Sequence, residues 1–253
     1  LIVDNTVPSP YLCRPIEHGA DIVVQSLTKY LGGHGNSIGG AIIDSGKFPW
    51  AEHKAKFKRL NEPDVSYHGV VYTEALGAAA FIGRARVVPL RNMGAAISPF
   101  NAFLILQGIE TLPLRMARHM ENTAKVVEFL AAHPLVSRVG HPMLESHPSH
   151  ALAQKLLPRG AGSVFSFDIK GSRAQGQKFI ETLKVFSHLA NVGDCRSLVI
   201  HPASTTHFRM DDASLAEAGI GPGTIRLSIG LEDPADLIDD LKKALKAAEK
   251  AGA

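Results

Sequence analysis

The sequence predicts an α/β protein in which a mostly parallel sheet precedes a smaller α+β unit. Residues 20–24 (ADIVV) form an apolar run that is typical of a short buried strand, and residues 1–4 (LIVD) form a second one. The segment between them has room for a loop and a short helix, so we expect two neighbouring parallel strands. A long amphipathic helix predicted over 112–133 is followed by shorter strands and helices. This change predicts two domains, 1–112 and 113–253.

Short motifs and periodicity predict the other elements. A Ser-Pro pair at 98–99 is a helix start, and residues 100–106 are apolar enough to be buried before Gly108 breaks the helix. An Asp-Pro pair at 233–234 predicts the start of a final helix. The remaining predicted elements are a helix over 73–86, a strand over 163–169, a helix over 174–186 and strands over 197–200 and 224–229.

Composition bounds the class of protein. The 253 residues are 45% hydrophobic and 20% charged, which is typical of a globular chain with a large core. The net charge of +3 comes from interspersed signs rather than a basic stripe, so we expect no nucleic-acid partner. No apolar run is long enough to span a membrane, and we expect no membrane partner. The two cysteines form neither a disulfide framework nor a zinc motif, which favours a reducing, cytoplasmic location.

A glycine-rich segment, residues 25–40 (QSLTKYLGGHGNSIGG), holds the main candidate site. It follows the strand over 20–24, and open α/β sheets bind ligands at the carboxyl ends of their strands. Desolvation there favours the neutral, nucleophilic form of an amine, so Lys29 is a candidate to hold an aldehyde as a Schiff base. Ser26 and Thr28 offer two hydroxyl donors to a phosphate. A glycine-rich turn that carries a surface lysine is the alternative that the residues alone leave open.

An acidic residue, Asp4, ends the first predicted strand. Two neighbouring parallel strands would bring Asp4 and Lys29 to the same crevice. A carboxylate that faces an aromatic nitrogen keeps this nitrogen protonated and makes the ring a better electron sink. Capping of nearby N–H groups is an alternative role for Asp4 taken alone. The pairing with Lys29 favours the cofactor role.

The motifs DNT at residues 4–6 and SLTKYLGGHG at residues 26–35 together resemble the pyridoxal-phosphate enzymes of cysteine and methionine metabolism, the cystathionine-synthase-like group of fold type I. The likeness runs through nearly the whole chain. It implies an aspartate-aminotransferase-like fold, with residues 1–112 as the C-terminal part of the cofactor domain, and pyridoxal 5'-phosphate as the cofactor. By the same resemblance Lys29 carries the cofactor and Asp4 faces its pyridine nitrogen. The other implied cofactor-binding residues are Thr6, Ser26 and Thr28.

Two later segments carry candidate substrate-binding residues. Arg226 lies in an apolar strand within TIRLSIG, where its planar fork would bind a carboxylate through two hydrogen bonds. A structural ion pair is the alternative that the residues leave open. By resemblance, Arg226 binds the α-carboxylate of the substrate, and Asn191 lies in a loop that helps to hold it. Relatives that make cystathionine usually have a serine at this place, so Asn191 favours the sulfhydrylase branch.

The resemblance implies a γ-replacement reaction, in which O-acetyl-L-homoserine and sulfide give L-homocysteine and acetate and Lys29 acts as the base. A cystathionine γ-synthase, an O-succinylhomoserine sulfhydrylase and a methionine γ-lyase stay open as alternatives. From another class, a non-catalytic phosphate-binding subunit or an inert fragment is also open. The segment GGHGNSIGG, however, has neither the Walker spacing nor GxGxxG.

Two expectations concern partners and metals. The first strand, interpreted as buried on both faces, needs neighbours that the chain does not supply, so we expect upstream polypeptide of the same protein. The resemblance implies a homotetramer that acts on small-molecule substrates. His141, His147 and His150 lie near Glu145 in sequence, but the prolines between them predict an irregular, solvated loop, and we expect no metal.

Overall fold

The computed structural model describes residues 1–252, with every side chain in that range except that of Asp212. A three-stranded sheet has the order β1 (Ile2–Asp4), β2 (Ile22–Ser26) and β3 (Gly40–Asp44). β1 and β2 are parallel, as predicted, and Asp4 lies opposite Val24. β3 is antiparallel to β2 and was not predicted, because its apolar residues follow the glycine-rich segment without a clear alternation. The sheet therefore contains one parallel and one antiparallel pair of strands.

β1 is exposed among the described residues, and its burial on both faces by upstream polypeptide stays a prediction. Leu1 and Ile2 are 70% and 65% exposed, so the strand is not buried on both faces. The physical reason is that only β2 pairs with β1 among the described residues, which leaves β1 at the edge of the sheet.

Short helices and turns follow the sheet strands. The predicted helix over 73–86 is divided, because Gly77 has a positive φ of 53° between its two halves. A small aromatic core around Trp50 and Tyr72 covers one side of β2. The α-helices are α1 (Ser9–Leu12), α2 (Lys58–Asn61), α3 (Tyr72–Leu76), α4 (Ala80–Ala85) and α5 (Arg91–Met93). Short 3-10 helices are formed by Pro15–His18, Trp50–His53 and Gly77–Ala79, and π-helical turns by Leu27–Leu31 and Arg86–Leu90.

The helix α6 (Pro99–Glu110) starts as predicted, since Ser98 Oγ accepts a hydrogen bond from the Asn101 backbone N–H at 3.1 Å. Two predictions about it are wrong. Gly108 does not break the helix: a Cβ there would lie 2.2 Å from Gly32 O, so glycine instead permits a close approach of two backbones. The residues over 100–106 are not uniformly buried, because apolar side chains surround the helix and only one side faces the chain. The exposed ones are Phe100, Phe103 and Leu106.

A second, five-stranded sheet forms after the long helix α7 (Leu112–Ala131). Its strands are β4 (Val136–Gly140), β5 (Val164–Ile169), β6 (Ser187–His188), β7 (Leu198–Ile200) and β8 (Thr224–Ser228), in the order β4-β5-β8-β7-β6. All neighbours are antiparallel except β6 and β7. Phe165, Phe167 and Ile169 of β5 are buried on one face, which confirms the predicted alternation.

Helices cover the buried face of this sheet. α9 (Arg173–Thr182) begins with a capping box between Ser172 and Gln175 and ends at Thr182, earlier than predicted, because the next residue has an extended backbone. α11 (Pro234–Ala251) has the predicted cap at Asp233. The other elements are α8 (His150–Leu156), α10 (Asp212–Glu217) and the turn Pro202–Ser204.

The long helix α7 contributes to two cores. Near its start Met116 packs with Tyr30 and Leu31, whereas Val127 and Leu130 pack under the second sheet. Its first residue agrees with the proposed boundary, and the division into 1–112 and 113–253 stays a prediction. Within residues 1–252, no helix combines the length and the apolar content needed to cross a membrane.

Candidate active site

Three of the predicted cofactor residues lie together at the carboxyl ends of β1 and β2. Thr6 Oγ1 accepts a hydrogen bond from the Ser26 backbone N–H at 2.9 Å. Asp4 Oδ1 accepts one from the Thr6 backbone N–H at 3.0 Å, and Asp4 is exposed. The parallel pairing of the strands thus brings Asp4, Thr6 and Ser26 to one edge of the sheet.

Lys29 lies in a single helical turn, Leu27–Leu31, that directly follows β2. Its own φ of −91° and ψ of −128° depart from helical values. Glycine N–H groups close the turn, with Gly32 N donating to Leu27 O at 2.9 Å and Gly33 N donating to Lys29 O at 2.7 Å. The residues that follow Lys29 are buried while Lys29 itself is half-buried, so the turn fixes the backbone and leaves the amine accessible.

The Thr28 hydroxyl is bonded to the backbone of the glycine-rich segment. It accepts from Gly39 N at 3.1 Å and donates to Gly39 O at 3.3 Å. Thr28 is half-buried and lies two residues after Ser26 in the chain. A phosphate contact from Thr28 would therefore replace its longer bond, the one to Gly39 O.

The structure brings Asn191 to Lys29 and brings Arg226 to Asn191. Lys29 Nζ donates a hydrogen bond to Asn191 Oδ1, and Arg226 Nη2 donates to Asn191 O at 3.4 Å. Arg226 is half-buried on β8, and burial lowers the pKa of its guanidinium. No carboxylate among the described residues forms an ion pair with Arg226, which leaves most of its donors available to a ligand.

The loop that carries Asn191 fits closely against the Lys29 turn. Gly193 has a positive φ of 76°, and a Cβ there would lie 2.7 Å from Tyr30 N. Gly193 N donates to Ser228 Oγ at 3.1 Å, and Cys195 N donates to Gly33 O at 2.8 Å. Glycine at 193 therefore permits the approach that joins the two halves of the site.

Two buried residues of α7 next to this site were missed from the sequence. Arg115 lies beneath the Lys29 turn and bonds to its carbonyls. His119 Nδ1 donates to Ile229 O at 2.7 Å, while its Nε2 is buried and has no hydrogen-bond partner among the residues that the structure describes. Burial lowers the pKa of His119 to about 4, so the ring is neutral at pH 7. The sequence feature that could have identified them is a row of polar residues at helical spacing on the otherwise apolar face of α7, namely Arg115, His119 and Asn122.

The histidines considered as metal ligands bond instead to backbone groups. His141 Nε2 donates to Gly162 O at 3.1 Å, and His150 Nδ1 donates to Pro142 O at 3.0 Å. His147 Nδ1 accepts from Ser149 N at 3.1 Å. Within residues 1–252, no three His, Cys, Asp or Glu side chains are grouped as a metal site would need.

Comparisons with known proteins decide the family. A sequence model described as Cys/Met metabolism PLP-dependent enzyme matches residues 1–246. The chain belongs to this family. The resemblance seen in the two motifs is thereby confirmed.

Several members of the Cys/Met metabolism family are similar over almost the entire chain. An O-acetyl-L-homoserine sulfhydrylase from Leptospira meyeri is 53% identical over 97% of this chain and 57% of its own length. A homocysteine synthase from Schizosaccharomyces pombe is 48% identical over 98% of the chain and 58% of its own length. The chain thus spans a little over half the length of these relatives.

Solved structures of the family share the fold. An O-acetylhomoserine (thiol)-lyase from Campylobacter jejuni superposes with a TM-score of 0.90 at 41% identity, covering 97% of this chain and 58% of that one. That protein carries an N'-pyridoxyl-lysine-5'-monophosphate residue. A cystathionine γ-synthase from Xanthomonas oryzae, solved with cystathionine, gives a TM-score of 0.77 at 36% identity, covering 98% of this chain and 56% of that one. The predicted fold type is therefore confirmed.

The donor set at the site fits pyridoxal 5'-phosphate. Lys29 offers an accessible amine to an aldehyde, and Ser26 and Thr28 offer hydroxyls to a phosphate. Asp4 offers an exposed carboxylate of which one oxygen bonds to the backbone, so the other is available to a protonated ring nitrogen. The residues present are the kinds that each part of the cofactor needs.

Proposed function

We propose that this family member catalyses the γ-replacement of O-acetyl-L-homoserine with sulfide, giving L-homocysteine and acetate. The observation that carries the proposal is the contact of Lys29 Nζ with Asn191 Oδ1, because the same Asn191 also contacts Arg226. A reactive amine and a carboxylate-binding guanidinium thus converge on one loop. Relatives that are 48% to 53% identical and named for sulfhydrylation or homocysteine synthesis support this reaction over its sister reactions.

Five residues would hold pyridoxal 5'-phosphate. Lys29 would attach covalently to its aldehyde carbon, Ser26 and Thr28 would donate to its phosphate, and Asp4 would accept from its ring nitrogen. Thr6 supports this set because its hydroxyl fixes the backbone of Ser26. When bound, the cofactor supplies an electron sink for the negative charge that develops at the substrate α-carbon.

The other residues bind the substrate and move protons. Arg226 binds the α-carboxylate, since a half-buried guanidinium without an acidic partner gains charge-assisted hydrogen bonds from it. Asn191 orients the Lys29 amine through its side-chain oxygen. Lys29, which would be free once the substrate amino group has taken its place, takes the proton from the substrate α-carbon as a general base. Loss of a second proton from the β-carbon lets acetate leave the γ-carbon, and sulfide adds there. Return of protons to the β- and α-carbons then gives L-homocysteine.

Assembly and location are part of the same proposal. Phe100, Phe103 and Leu106 of α6 form an exposed apolar row, which is typical of a surface that another chain or segment covers. This row supports self-association, and we propose that the assembly is a homotetramer. The contribution of upstream polypeptide stays a prediction. Cys13 and Cys195 are both unpaired, which supports a reducing, cytoplasmic compartment.

Borohydride reduction of the holoenzyme followed by peptide mapping tests the site. The mass of the reduced cofactor should appear on the peptide that contains Lys29. A Lys29→Arg variant should lose this label, whereas a Lys47→Arg variant should keep it. A label on any other lysine would contradict the assignment.

Product analysis tests the reaction. The enzyme is supplied with O-acetyl-L-homoserine and with sulfide, cysteine or no thiol, the same series is repeated with O-succinyl-L-homoserine, and L-methionine is supplied alone in a separate sample. Homocysteine formation that is fastest with the acetyl ester and sulfide supports the proposal. Cystathionine as the main product would indicate a cystathionine γ-synthase, and a keto acid formed from methionine would indicate a lyase.

A further inference from the structure

The guanidinium of Arg115 is buried directly beneath the turn that carries Lys29. The residue is 5% exposed. Its Nη1 donates to Tyr30 O at 2.7 Å, and its Nη2 donates to Leu31 O at 3.2 Å and to Gly108 O at 2.6 Å. The planar fork thus joins the two residues after Lys29 to the end of α6.

We propose that Arg115 is a positioning residue that holds the Lys29 backbone in the conformation from which Nζ reaches Asn191. The functional importance of this contact rests on the proposed role of Lys29. The backbone angles of Lys29 lie outside the helical range although the turn around it is helical. Arg115 donates to the carbonyls of the next two residues, and these hydrogen bonds fix the backbone that directly follows Lys29.

Two glycines make room for the guanidinium and its partners. A Cβ at Gly33, which has a positive φ of 75°, would lie 2.2 Å from Arg115 Nη1. A Cβ at Gly108 would lie 2.2 Å from Gly32 O, so glycine there lets α6 bring its own carbonyl to the same cation. The close packing depends on the absence of side chains at both places.

The charge of Arg115 also favours a positioning role over simple packing. Among the described residues no carboxylate forms an ion pair with Arg115, and burial lowers the pKa of its guanidinium. Its partners are three carbonyls and the Thr111 hydroxyl, and a buried cation with only neutral partners costs stability compared with a neutral side chain of similar size. Its five fixed donors, however, bind several carbonyls in one plane, which neither lysine nor methionine does.

The test compares Arg115→Lys and Arg115→Met with Arg118→Met as the matched control. Arg118 is on the same helix but partly exposed, with Glu121 as its partner. Amide hydrogen exchange of the holoenzyme is followed in peptides that cover the Lys29 turn and, for comparison, α11. Steady-state kcat and KM are measured on the same samples. If the methionine variant does not fold, the lysine variant, which keeps the cation and loses the fork, decides.

The proposal predicts faster exchange in the Lys29 turn with unchanged exchange in α11. It also predicts that kcat falls about a hundredfold, because a displacement of about 1 Å suffices for such a loss, while KM changes by less than about threefold. Arg118→Met should leave exchange and kcat unchanged. Exchange that rises equally in the turn and in α11, an unchanged turn, or a change in KM alone would overturn the proposal. The exchange result stands even if the reaction is a different one.

Discussion

Replacing His119 by asparagine should remove a specific part of the pH dependence of stability. The His119 ring is fully buried, its Nδ1 donates to Ile229 O, and its ring meets that of Tyr30 edge to face at 5.4 Å between centroids. Burial is the main cause that lowers its pKa to about 4; the Ile229 carbonyl opposes this shift and the positive charge of Arg115 adds to it. Asparagine keeps an N–H donor near the position of Nδ1 and does not titrate in this range.

The magnitude follows from the two pKa values. In the unfolded chain the histidine takes up a proton below a pKa of about 6.5. In the folded protein it does so only below about 4. Between these values the unfolded state binds more protons, so the free energy of unfolding decreases as the pH is lowered. The difference of about 2.5 between the pKa values corresponds to about 3 kcal/mol lost from pH 7 to pH 4.

Urea unfolding of the unsubstituted protein and of the His119→Asn variant at several pH values measures this pH-dependent loss of stability. The variant starts from a lower stability at pH 7, because it loses ring contacts, but its free energy of unfolding should fall about 3 kcal/mol less between pH 7 and pH 4. Other buried histidines, His141 and His201, contribute equally to both proteins and cancel in the comparison. His18→Asn, at an exposed position, serves as the control. Parallel pH curves for the two proteins would show that His119 does not cause this loss of stability.

Three further changes test other contacts. Arg226→Lys should raise KM for the amino-acid substrate about thirtyfold or more with an unchanged cofactor spectrum, because lysine lacks the planar fork; an unchanged KM would return Arg226 to a structural role. Gly193→Ala should lower the free energy of unfolding by about 1–3 kcal/mol more than Gly219→Ala, since both have a positive φ but only Gly193 lies against another backbone; equal losses would contradict this. Asp240→Ala should lower the free energy of unfolding by about 2–3 kcal/mol, because its buried carboxylate accepts from two backbone N–H groups after α9, whereas Asp239→Ala, at an exposed position, should cost much less; equal shifts of the denaturant midpoint would contradict this.

The parts of the fold that were predicted correctly depend on local patterns. The alternation in β5, the serine cap of α6 and the Asp-Pro start of α11 each follow from a few adjacent residues. The parallel pairing of β1 and β2, which brings their carboxyl ends together, followed from one additional rule for strands joined by a crossover. In these cases the residues that specify the structure are close in sequence or joined by a single crossover.

The parts that were missed depend on contacts between distant segments. Burial of the apolar row on α6 was wrongly predicted, because hydrophobic residues show which sides of a helix need a partner and not whether one is present. Gly108 was taken as a helix breaker, although its function is to admit the backbone of Gly32. Nothing local in Asn191 indicates a bond to Lys29, because 162 residues separate them.

The helix α7 explains how such distant residues are kept in register. Arg115 binds the carbonyl of Tyr30, the residue after Lys29, and His119 binds the carbonyl of Ile229, three residues after Arg226. Arg115 and His119 are four residues apart, which is about 6 Å along a helix axis. One turn of a buried helix therefore links the segment that carries the candidate reactive amine with the strand that carries the candidate carboxylate-binding guanidinium. Because interior packing transmits displacements with little compression, a shift of α7 along its axis would move both segments together and preserve their spacing. A substitution that unwinds the turn between Arg115 and His119 would instead change the distance from Lys29 to Arg226 directly.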